Sequence, residues 1–531
     1  MPTNPLSPTR ADLLRELQQR VDDRVLEPTN ATLLRKLIER ADTDDEAIAV
    51  AALGTTYKRT GFHFDVRLER LTTDIRYLHR NPALSFTTNP TALTHRLIIG
   101  DNYEALQNLL IQYRGQVDVI YIDPPYGKDS MGEFAHTNYE NAITRDNLLS
   151  MLYPRLVLAR QLLADTGVIF CSIDDKNQAY VKCLFDELFG ERNFVANFIW
   201  KKKQGGGNDT KFVVAEHEYV IMYARNQDTF QIGKDLLYKT DDKLYPFHDA
   251  KGDYGLITLD KASIQFSQSL VYEIVDKKGN SYYPRVVNGK QSCWRWGKQK
   301  VKEQFEELVF KNGKVYTKYY RPIGITPRSL LVDAVYGRTE SGKDDLASIF
   351  RRVSFDYPKP KALLSHLISL NPNKSSLILD FFAGSGTTGH AVLELNRKDG
   401  GKRKFILCQL NEKTDTTPNG IAYDVTTKRL KRIMTGKCYD GTADFPWIKT
   451  NEPYGDNLEV TEIDRVFNAE ATASKTPFDV IDETLYGQQP FTTMREKIEW
   501  VCQHFQHAQK AVENDSDWEK RKRDLDHATR S

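Results

Sequence analysis

The stretch "LILDFFAGSGTTGHAVLELN" (Leu377–Asn396) has the pattern of a buried strand, a glycine-rich turn and a helix in direct succession. Its first three residues are apolar, Asp380 follows them, and "GSGTTG" from Gly384 to Gly389 fits the spacing G-x-G-x-x-G. A strand, glycine loop and helix in this order are typical of a nucleotide site in a parallel α/β sheet. The stretch therefore predicts a Rossmann-like, doubly wound α/β fold with a ligand beside the loop.

A second stretch, "DVIYIDPPYGK" (Asp118–Lys128), predicts another buried strand. Proline cannot continue a sheet ladder, so the chain must turn at Pro124 and Pro125. Asp123 and Tyr126 then lie at the carboxyl end of a parallel strand, where open α/β sheets bind their ligands.

Alternating strands and helices surround this second stretch. "RLIIGDNYEAL" predicts a strand and the start of a helix, and "VIFCSIDD", "FVANFIWKK" and "HEYVIMYARN" predict further strands. "LLSMLYPRLVLARQLLADTG" predicts a helix with Gly167 as its C-cap, and "VKCLFDELFG" predicts another. Near the amino terminus "PTRADLLREL" and "PTNATLLRKL" predict a helical hairpin or small bundle.

Composition restricts the class of protein. The 531 residues are 40% hydrophobic and 27% charged, as in a globular protein. No apolar run reaches about 18 uncharged residues, so no membrane helix is expected. The amino terminus lacks an apolar signal core, and the six cysteines form no C-x-x-C pair. These features predict a cytoplasmic protein without a zinc ribbon or a disulfide framework.

Positive charge is concentrated in one region. Residues 285–328 contain eleven lysines and arginines against three glutamates, whereas the whole chain has a net charge of only +2. Tryptophans and tyrosines are interleaved with these cations. Lysine and arginine neutralise phosphates and aromatic rings stack on bases, so the region, hereafter the basic island, predicts an anionic partner such as nucleic acid. A solvated cationic face would give a similar composition.

The glycine loop admits two ligands. Glu412, after the next strand, has the spacing expected for a ribose-binding acid, so a dinucleotide oxidoreductase is one interpretation. Asp380 followed by Phe381 and Phe382 favours a ligand with an ammonium group and no pyrophosphate, as in S-adenosylmethionine. A Walker A site is excluded because no Lys-Ser/Thr pair follows the loop.

The Asp-Pro-Pro-Tyr stretch suits methyl transfer to an exocyclic amine, whose lone pair is delocalised and poorly nucleophilic. Asp123 and the Pro124 carbonyl can each accept an N–H hydrogen bond and return electron density to the nitrogen. Tyr126 offers a face on which an extruded base can stack. Such chemistry needs no metal.

These two motifs, in this order, resemble the β-class amino-methyltransferases of DNA, and more narrowly the Mod subunits of type III restriction–modification systems. The resemblance covers roughly residues 45–435 and includes "LIIGDNYEALQNLL", "YIDPPY", "GVIFCSIDD", "FDYPKPKALLSHLI", "DFFAGSGTTGHAVLELN" and "YDVTTKRLKRI". It implies a site-specific methyltransferase that uses S-adenosylmethionine. An Asp rather than a Ser before the prolines implies adenine N6 as the acceptor.

The resemblance also implies roles for individual residues. The catalytic motif would be Asp123, Pro124, Pro125 and Tyr126. The cofactor would be bound by Asp380, Phe381, Phe382, Gly384, Gly386, Thr387, Glu412, Asp101 and Lys359. Asp101 would approach the adenine of the cofactor and Lys359 its carboxylate. Within the basic island, Arg295, Lys298 and Lys300 are predicted to contact DNA.

The implied organisation has five parts. Residues 1–85 would be a helical region, 86–226 the catalytic half of the core, 227–347 an inserted target-recognition domain, 348–436 the cofactor half and 437–531 a helical C-terminal extension. The implied partners are double-stranded DNA with a flipped adenine, a second copy of the chain and a Res restriction subunit, with no membrane. A stand-alone methyltransferase and a catalytically inactive DNA-binding module remain alternatives, and the sequence does not give the recognition site.

Overall fold

The structure is a computed structural model that describes residues 7–22, 28–52, 74–125, 144–205, 212–237, 241–263, 265–287, 289–351, 355, 357–467 and 476–512. The chain divides into two compact units, residues 1–63 and 64–531. In the described part of the chain, no helix is both long enough and apolar enough to cross a lipid bilayer.

Within its described residues, 7–22 and 28–52, the first unit contains three helices, α1 (Pro8–Asp22), α2 (Pro28–Arg40) and α3 (Asp44–Ala52). Helices α1 and α2 each begin at the proline of the repeated Pro-Thr pattern, as the sequence predicts. They pack around a small core that includes Ile38 and Ala47, with Leu14 partly buried against it. Asp44 accepts a hydrogen bond from the Ser7 hydroxyl at 2.8 Å and ties the start of α1 to the start of α3.

The second unit is built on one large sheet and several small ones. The strands of the large sheet are β1 (Asp74–Arg80), β2 (Thr94–Ile99), β3 (Val117–Ile122), β4 (Leu163–Ile173), β5 (Phe194–Lys201), β6 (His217–Ala224), β17 (Leu330–Leu331), β18 (Leu377–Asp380), β19 (Lys404–Gln409) and β20 (Asn457–Phe467). The strands between β6 and β17 are β7 (Phe247–Asp249), β8 (Gly252–Thr258), β9 (Asp260–Lys261), β10 (Ile274–Val275), β11 (Ser281–Tyr282), β12 (Val286–Val287), β13 (Lys290–Gln291), β14 (Cys293–Trp294), β15 (Leu308–Lys311) and β16 (Lys314–Tyr320).

The helices of the second unit are α4 (Asn102–Tyr113), α5 (Thr144–Leu162), α6 (Gln178–Phe189), α7 (Lys298–Glu303), α8 (Thr339–Phe350), α9 (Lys361–Ser369), α10 (Thr387–Asp399), α11 (Thr427–Thr435), α12 (Pro477–Val480) and α13 (Met494–Gln509). A π-helical turn, Ala422–Thr426, leads into α11.

The large sheet has the strand order β1-β20-β2-β19-β18-β3-β4-β6-β5-β17. The run from β20 to β4 is entirely parallel. Strand β6 runs antiparallel to both β4 and β5, and β1 runs antiparallel to β20. Helices connect the parallel strands, so the predicted doubly wound, Rossmann-like α/β fold is confirmed.

The helices cover both faces of this sheet. Buried residues of α4, α5, α6 and α13 pack on one face, where Ile120 and Leu379 point. Buried residues of α9, α10 and α11 pack on the other face with Val119 and Ile378. The helix after β18 and the helix after β3 therefore lie on opposite faces, although the two strands are neighbours. This reversal is the topological switch point at which open α/β sheets form a ligand crevice.

Most of the segment between β6 and β17 forms small β-sheets with their own apolar core. Its four-stranded sheet has the order β15-β16-β8-β7. Leu259, Tyr272, Trp294 and Val315 are buried together in it, separately from the two cores of the large sheet. The sequence predicted an insertion at this place, and a segment with a separate core is consistent with that prediction.

Three predictions of secondary structure are wrong. The predicted helical region was extended to residue 85, but residues 74–80 are β1, an edge strand of the large sheet. The extension at 437–531 was predicted to be helical, but besides helices it contributes β20, which lies between β1 and β2 in that sheet. Gly167 does not cap α5 because the helix ends at Leu162 and Gly167 belongs to β4. A Cβ on Gly167 would lie 2.9 Å from the Val117 carbonyl oxygen, so close strand packing explains this glycine.

Candidate active site

The two sequence motifs converge because their strands are hydrogen-bonded neighbours. Ile378 pairs with Val119 and Leu379 with Ile120 in parallel register. Asp380, the last residue of β18, and Asp123, one residue beyond β3, therefore lie at the same edge of the sheet. They are close enough for the negative charge of Asp123 to raise the pKa of Asp380. The switch-point crevice opens between these two strand ends.

Asp123 is held by an ammonium group. Lys359 donates to both of its carboxylate oxygens, at 2.7 and 2.8 Å. Its side chain is 25% exposed, whereas that of Lys359 is only 9% exposed. Burial raises the pKa of Asp123 above its ordinary value, Lys359 opposes that effect and the negative charge of Glu218 adds to it. The carboxylate is thus partly buried yet open on one side to a ligand.

The two prolines that follow Asp123 continue this edge of the sheet. Pro124 is buried and Pro125 is half-buried. Tyr126 lies outside the described residues, so its predicted role in base stacking stays a prediction.

The glycine loop after β18 requires glycine at two positions. Gly384 and Gly386 have φ angles of +51° and +78°, in the left-handed region that residues with a Cβ rarely adopt. The Gly384 N–H donates to the Gln409 side-chain oxygen at 2.6 Å, and the Gly384 carbonyl accepts from the Thr426 hydroxyl at 2.6 Å. A Cβ on Gly384 would lie 3.2 Å from the ring of Phe355. The loop is therefore fixed from both sides by its neighbours.

Asp380 is almost fully buried beside this loop, with a relative exposure of 2%. Its carboxylate accepts hydrogen bonds from the Phe382 N–H at 2.9 Å and from the Thr388 hydroxyl. Burial raises the pKa of Asp380 to about 7, and these two hydrogen bonds oppose the rise. A cationic ligand group in the crevice would stabilise its ionised form.

The two phenylalanines after Asp380 have different environments. Phe381 is buried in the core on the face of α4, and its carbonyl accepts from the Asn102 side chain at 2.8 Å. Phe382 is only partly buried, and the two rings lie 5.2 Å apart. Phe382 is therefore the better placed of the two to contact a ligand.

Behind the loop lies a buried arginine. Arg429 of α11 donates to the Thr387 hydroxyl at 2.8 Å and to the Ser385 hydroxyl at 3.0 Å. Burial lowers the pKa of Arg429 to about 10. Thr387, predicted to bind a cofactor, thus uses its hydroxyl within the protein to hold the loop against α11.

Asp101 caps α4, since its carboxylate accepts from the Tyr103 N–H at 2.8 Å. It also pairs with Arg155 of α5 at 3.1 Å. Arg155 is buried and additionally bonds the Asn102 side-chain oxygen, which couples α5 to the end of β18 through Asn102. The predicted contact between Asp101 and a ligand stays a prediction, and its carboxylate remains 29% exposed.

Glu412 is farther along the chain than its prediction assumed. Strand β19 ends at Gln409, and Glu412 lies three residues later on a loop, half-buried. Its carbonyl accepts from the Ile421 N–H at 2.9 Å, which orders that loop. Gln409 occupies the strand end itself, where its side chain reaches the glycine loop.

The three cations predicted to contact DNA differ in exposure. Lys298 and Lys300 lie on α7 and are exposed, with their ammonium groups over the rings of Tyr272 and Trp296. Arg295 is partly buried and donates to the Thr317 hydroxyl at 2.9 Å. Arg295 thus has a packing role in the insertion, and the DNA contacts of all three residues stay predictions.

Several residues of the site escaped sequence reasoning. Glu218 lies 3.3 Å from the Lys359 ammonium. Gln409, Thr426 and Arg429 form hydrogen bonds with the glycine loop and the start of α10. One signal was readable for Glu218, because it is the acidic residue of an otherwise apolar strand, "HEYVIMYARN". The others depend on which distant elements meet, which the chain alone does not specify.

Comparison with known proteins identifies two matching family models and several relatives. A family model described as DNA methylase matches residues 117–416, more than half of the chain, and one of an uncharacterised conserved protein matches residues 15–119. The Mod subunit of the type III restriction-modification enzyme EcoPI of Escherichia phage P1 is 32% identical over 402 residues, or 64% of this chain and 62% of that subunit.

Two further relatives are similar at the same level. The Mod subunit of the type III restriction-modification enzyme StyLTI of Salmonella typhimurium is 33% identical over 64% of this chain and 57% of that subunit. The type II methyltransferase M.KpnI of Klebsiella pneumoniae is 32% identical over 66% of this chain and 89% of that enzyme. The chain thus spans less than two thirds of the length of the two Mod subunits.

Proposed function

Because this chain belongs to the DNA methylase family, we propose that it transfers a methyl group from S-adenosylmethionine to an exocyclic amine of a base in DNA. The observation that carries the proposal is the adjacency of β3 and β18, which brings Asp123 and the glycine loop to one crevice. A donor at the loop and an acceptor at Asp123 would then be neighbours, as direct transfer requires.

The residues of the loop suit S-adenosylmethionine. Gly384 and Gly386 allow close approach of the backbone, Asp380 provides an acid for an ammonium group, and Phe382 provides an apolar surface. We propose that Asp380, Phe382 and the glycine loop hold the cofactor, with Phe381 and Thr387 shaping the site from behind. Asp101 and Glu412 are proposed as contacts to its adenosine. When bound, S-adenosylmethionine supplies an electrophilic methyl group.

The protein's own contribution to the reaction lies at Asp123. Its carboxylate accepts one N–H of the target amine, and the Pro124 carbonyl accepts the other, so electron density returns to the nitrogen. The same acceptors stabilise the positive charge that develops on that nitrogen. Their positions are fixed before the substrate arrives, Asp123 by Lys359 and the turn by two prolines. Tyr126 would stack on the extruded base.

We propose adenine N6 as the acceptor atom. Support comes from the residue before the prolines, which is Asp rather than Ser, a feature that favours adenine in the β-class. Two of the similar proteins are Mod subunits of type III restriction-modification enzymes.

We propose that the chain works as the modification subunit of a type III-like system in the cytoplasm, as a homodimer that can partner a Res subunit. The insertion between β6 and α8 is proposed as the target-recognition domain. Its separate core and its exposed cations on α7 support that role.

Nucleoside analysis tests the proposal directly. Unmethylated double-stranded DNA is incubated with the purified chain and S-adenosylmethionine carrying a deuterated methyl group, then digested and examined by mass spectrometry. We expect deuterated N6-methyladenine in the wild-type reaction. Deuterated N4-methylcytosine would refute the choice of adenine, and an absence of label from every nucleoside would refute methyl transfer to DNA.

A stand-alone methyltransferase is the second candidate. It is favoured by the match to M.KpnI, of which 89% is covered, compared with 62% and 57% of the two Mod subunits. Affinity purification of the chain from its native host decides between the two candidates. A stoichiometric Res-type translocase in the purified complex supports the type III-like system, and its absence supports the stand-alone enzyme.

A further inference from the structure

The catalytic carboxylate belongs to a chain of four alternating charges. Lys359 bonds both oxygens of Asp123, and the same ammonium lies 3.3 Å from the Glu218 carboxylate. Lys202 contacts the other oxygen of Glu218 at 3.0 Å. The side chains of Lys359 and Glu218 are only 9% and 10% exposed, so these two charges are largely removed from water. Removing charges from water costs free energy, and a buried ion pair often adds little to folding stability. This pair is therefore a candidate for a functional role.

The backbone around Lys359 is closely packed on two sides. Pro358 and Pro360 flank it and restrict the backbone. A Cβ on Gly342 would lie 2.2 Å from the Pro358 carbonyl oxygen, and one on Gly337 would lie 2.7 Å from the Pro360 side chain. The segment 358–360 therefore packs directly against two glycines. The backbone of Lys359 is therefore fixed, whereas the position of its ammonium group can vary.

Glu218 can restrict the position of the Lys359 ammonium group. It lies near the start of β6, where it pairs with Trp200 of the neighbouring strand β5. Burial alone would raise the pKa of Glu218, but Lys359 and Lys202 outweigh burial and lower it, so Glu218 is ionised. An ionised carboxylate at 3.3 Å attracts the Lys359 ammonium and limits the positions that it can adopt.

We infer that Lys359 and Glu218 are positioning residues for methyl transfer: Glu218 keeps the Lys359 ammonium against Asp123, and that ammonium fixes the direction and the negative charge of the carboxylate. The inference rests on the proposed function and adds to it two residues that act through Asp123. A carboxylate has about four acceptor positions, so Lys359 leaves room on Asp123 for an N–H of the target amine. Without Lys359, burial would favour the protonated acid, which is the weaker acceptor.

The direction in which the pKa of Asp123 moves can test the inference. A direct effect of the Glu218 charge and an effect through Lys359 would move that pKa in opposite directions. Glu218 itself raises the pKa of Asp123, so loss of its charge alone would lower that pKa. Loss of the Lys359 contact would instead raise it. If Glu218 acts through Lys359, Glu218→Gln should therefore behave like Lys359→Met. The other groups whose charges interact with Asp123 are Asp380, Tyr121 and Cys171, and both variants leave these residues in place. Lys359→Met does remove a charge that lowers the pKa of Tyr121 and of Cys171.

The experiment measures kcat and KM of DNA methylation between pH 5 and 9. For Glu218→Gln we expect kcat to fall about tenfold, KM for DNA and cofactor to stay unchanged, and the acid limb of the kcat profile to move to higher pH. Lys359→Met should move it in the same direction, and Lys359→Arg should restore part of kcat. In the Lys359→Met background, Glu218→Gln should cause no further upward movement. A movement of the acid limb to lower pH in Glu218→Gln alone would overturn the inference.

Lys361→Met is the matched control. Lys361 is two residues from Lys359 and pairs with Glu394 at 3.7 Å, outside this charge chain. The substitution Lys361→Met removes a lysine from the same segment. We expect its kcat and its pH profile to equal those of the wild type. An equal effect from Lys361→Met would show that Lys359 acts only through general charge or stability.

A crystal structure of Glu218→Gln provides a readout that does not depend on activity. We expect the Lys359 ammonium to have left hydrogen-bonding distance of Asp123, and an unchanged contact would overturn the inference. If the wild-type chain does not methylate DNA, the proposed function fails, and this structure still decides whether Glu218 holds Lys359. If the wild type is active and Glu218→Gln is equally active, the inference alone fails.

Discussion

The carboxylate of Asp123 lies between opposing influences, since burial and Glu218 raise its pKa while Lys359 lowers it. The sequence predicted that this residue is the acceptor for the target amine, but not that an ammonium group would hold it. The lysine is 236 residues away along the chain, and only the folded sheet brings the two together. The sequence motif indicates what Asp123 can do chemically. It does not show which distant side chain contacts Asp123 in the folded protein.

Asp123→Ala tests the catalytic role. Removal of the acceptor should lower the rate of methyl transfer by about 10²-fold or more. Binding of S-adenosylhomocysteine should be largely unchanged, because the hydrogen bonds that fix the glycine loop come from Gln409 and Thr426 rather than Asp123. Single-turnover transfer and calorimetric titration measure the two quantities. Asp123→Asn, which keeps the volume, serves as the control for altered packing, and wild-type turnover in either variant would contradict the assignment.

Asp380 should make folding stability depend on pH. Burial raises its pKa from 3.8 to about 7 in the folded state. The folded protein therefore binds a proton more tightly there than the unfolded chain does, which contributes stability below pH 4 that is lost as the pH rises through about 7.

Asp380→Asn lacks this titration. We expect the free energy of unfolding of the wild type, relative to the variant, to decrease steadily between pH 4 and 7. Urea denaturation of both proteins across that interval measures the difference. A constant difference would show that folding does not raise the pKa of Asp380.

At the scale of single elements, the glycine loop was the most predictable part of the site. Its spacing, the strand before it and the helix after it were all read correctly from Leu377–Asn396. The elements that support the loop were not, because the π-helical turn and α11 reach it from another part of the chain. Gly167 shows the converse error, since a glycine typical of a helix C-cap was required by close packing between strands.

Gly384→Ala tests whether the loop is a binding element. Alanine at a left-handed position costs about 1–2 kcal/mol, and its Cβ would also press on the Phe355 ring. Gly400→Ala, after α10, is the matched control: it has φ of +67° and an open surrounding. We expect both variants to lose stability in denaturation experiments and only Gly384→Ala to lose cofactor affinity. Equal cofactor affinity in the two variants would contradict a binding role for the loop.

Substitution of the exposed lysines on helix α7 tests whether the insertion binds DNA. Lys298→Ser combined with Lys300→Ser should weaken DNA binding and reduce the slope of log affinity against log salt by about 2, if each lysine neutralises one phosphate. Arg295 is left in place because its bond to Thr317 supports the fold of the insertion. Lys398→Ser with Lys402→Ser, at the far end of α10, removes the same charge from exposed positions elsewhere. An equal loss in that control would show only a dependence on net charge.

At the scale of the whole molecule, the central strands of the sheet were predictable from their apolar composition, but its edges were not. Strands β1 and β20 pair with each other although nearly four hundred residues separate them, as in the pairing of Asp74 with Phe467. Both strands contain charged residues at many positions, so neither has the continuous apolar run that predicts a buried strand, and β1 is an edge strand with β20 as its neighbour. Long-range pairing therefore extended the core beyond both predicted boundaries.

The central claim is that β3 and β18 place the target base and the methyl donor in one crevice. A crystal structure of the chain with S-adenosylhomocysteine and a duplex containing its methylation site measures this directly. We predict that the homocysteine sulfur lies beside the Gly384 loop and faces an extruded adenine, whose N6 is within hydrogen-bonding distance of Asp123. A cofactor bound on a different surface from Asp123, or an adenine left stacked in the duplex while the cofactor occupies the loop, would contradict the account.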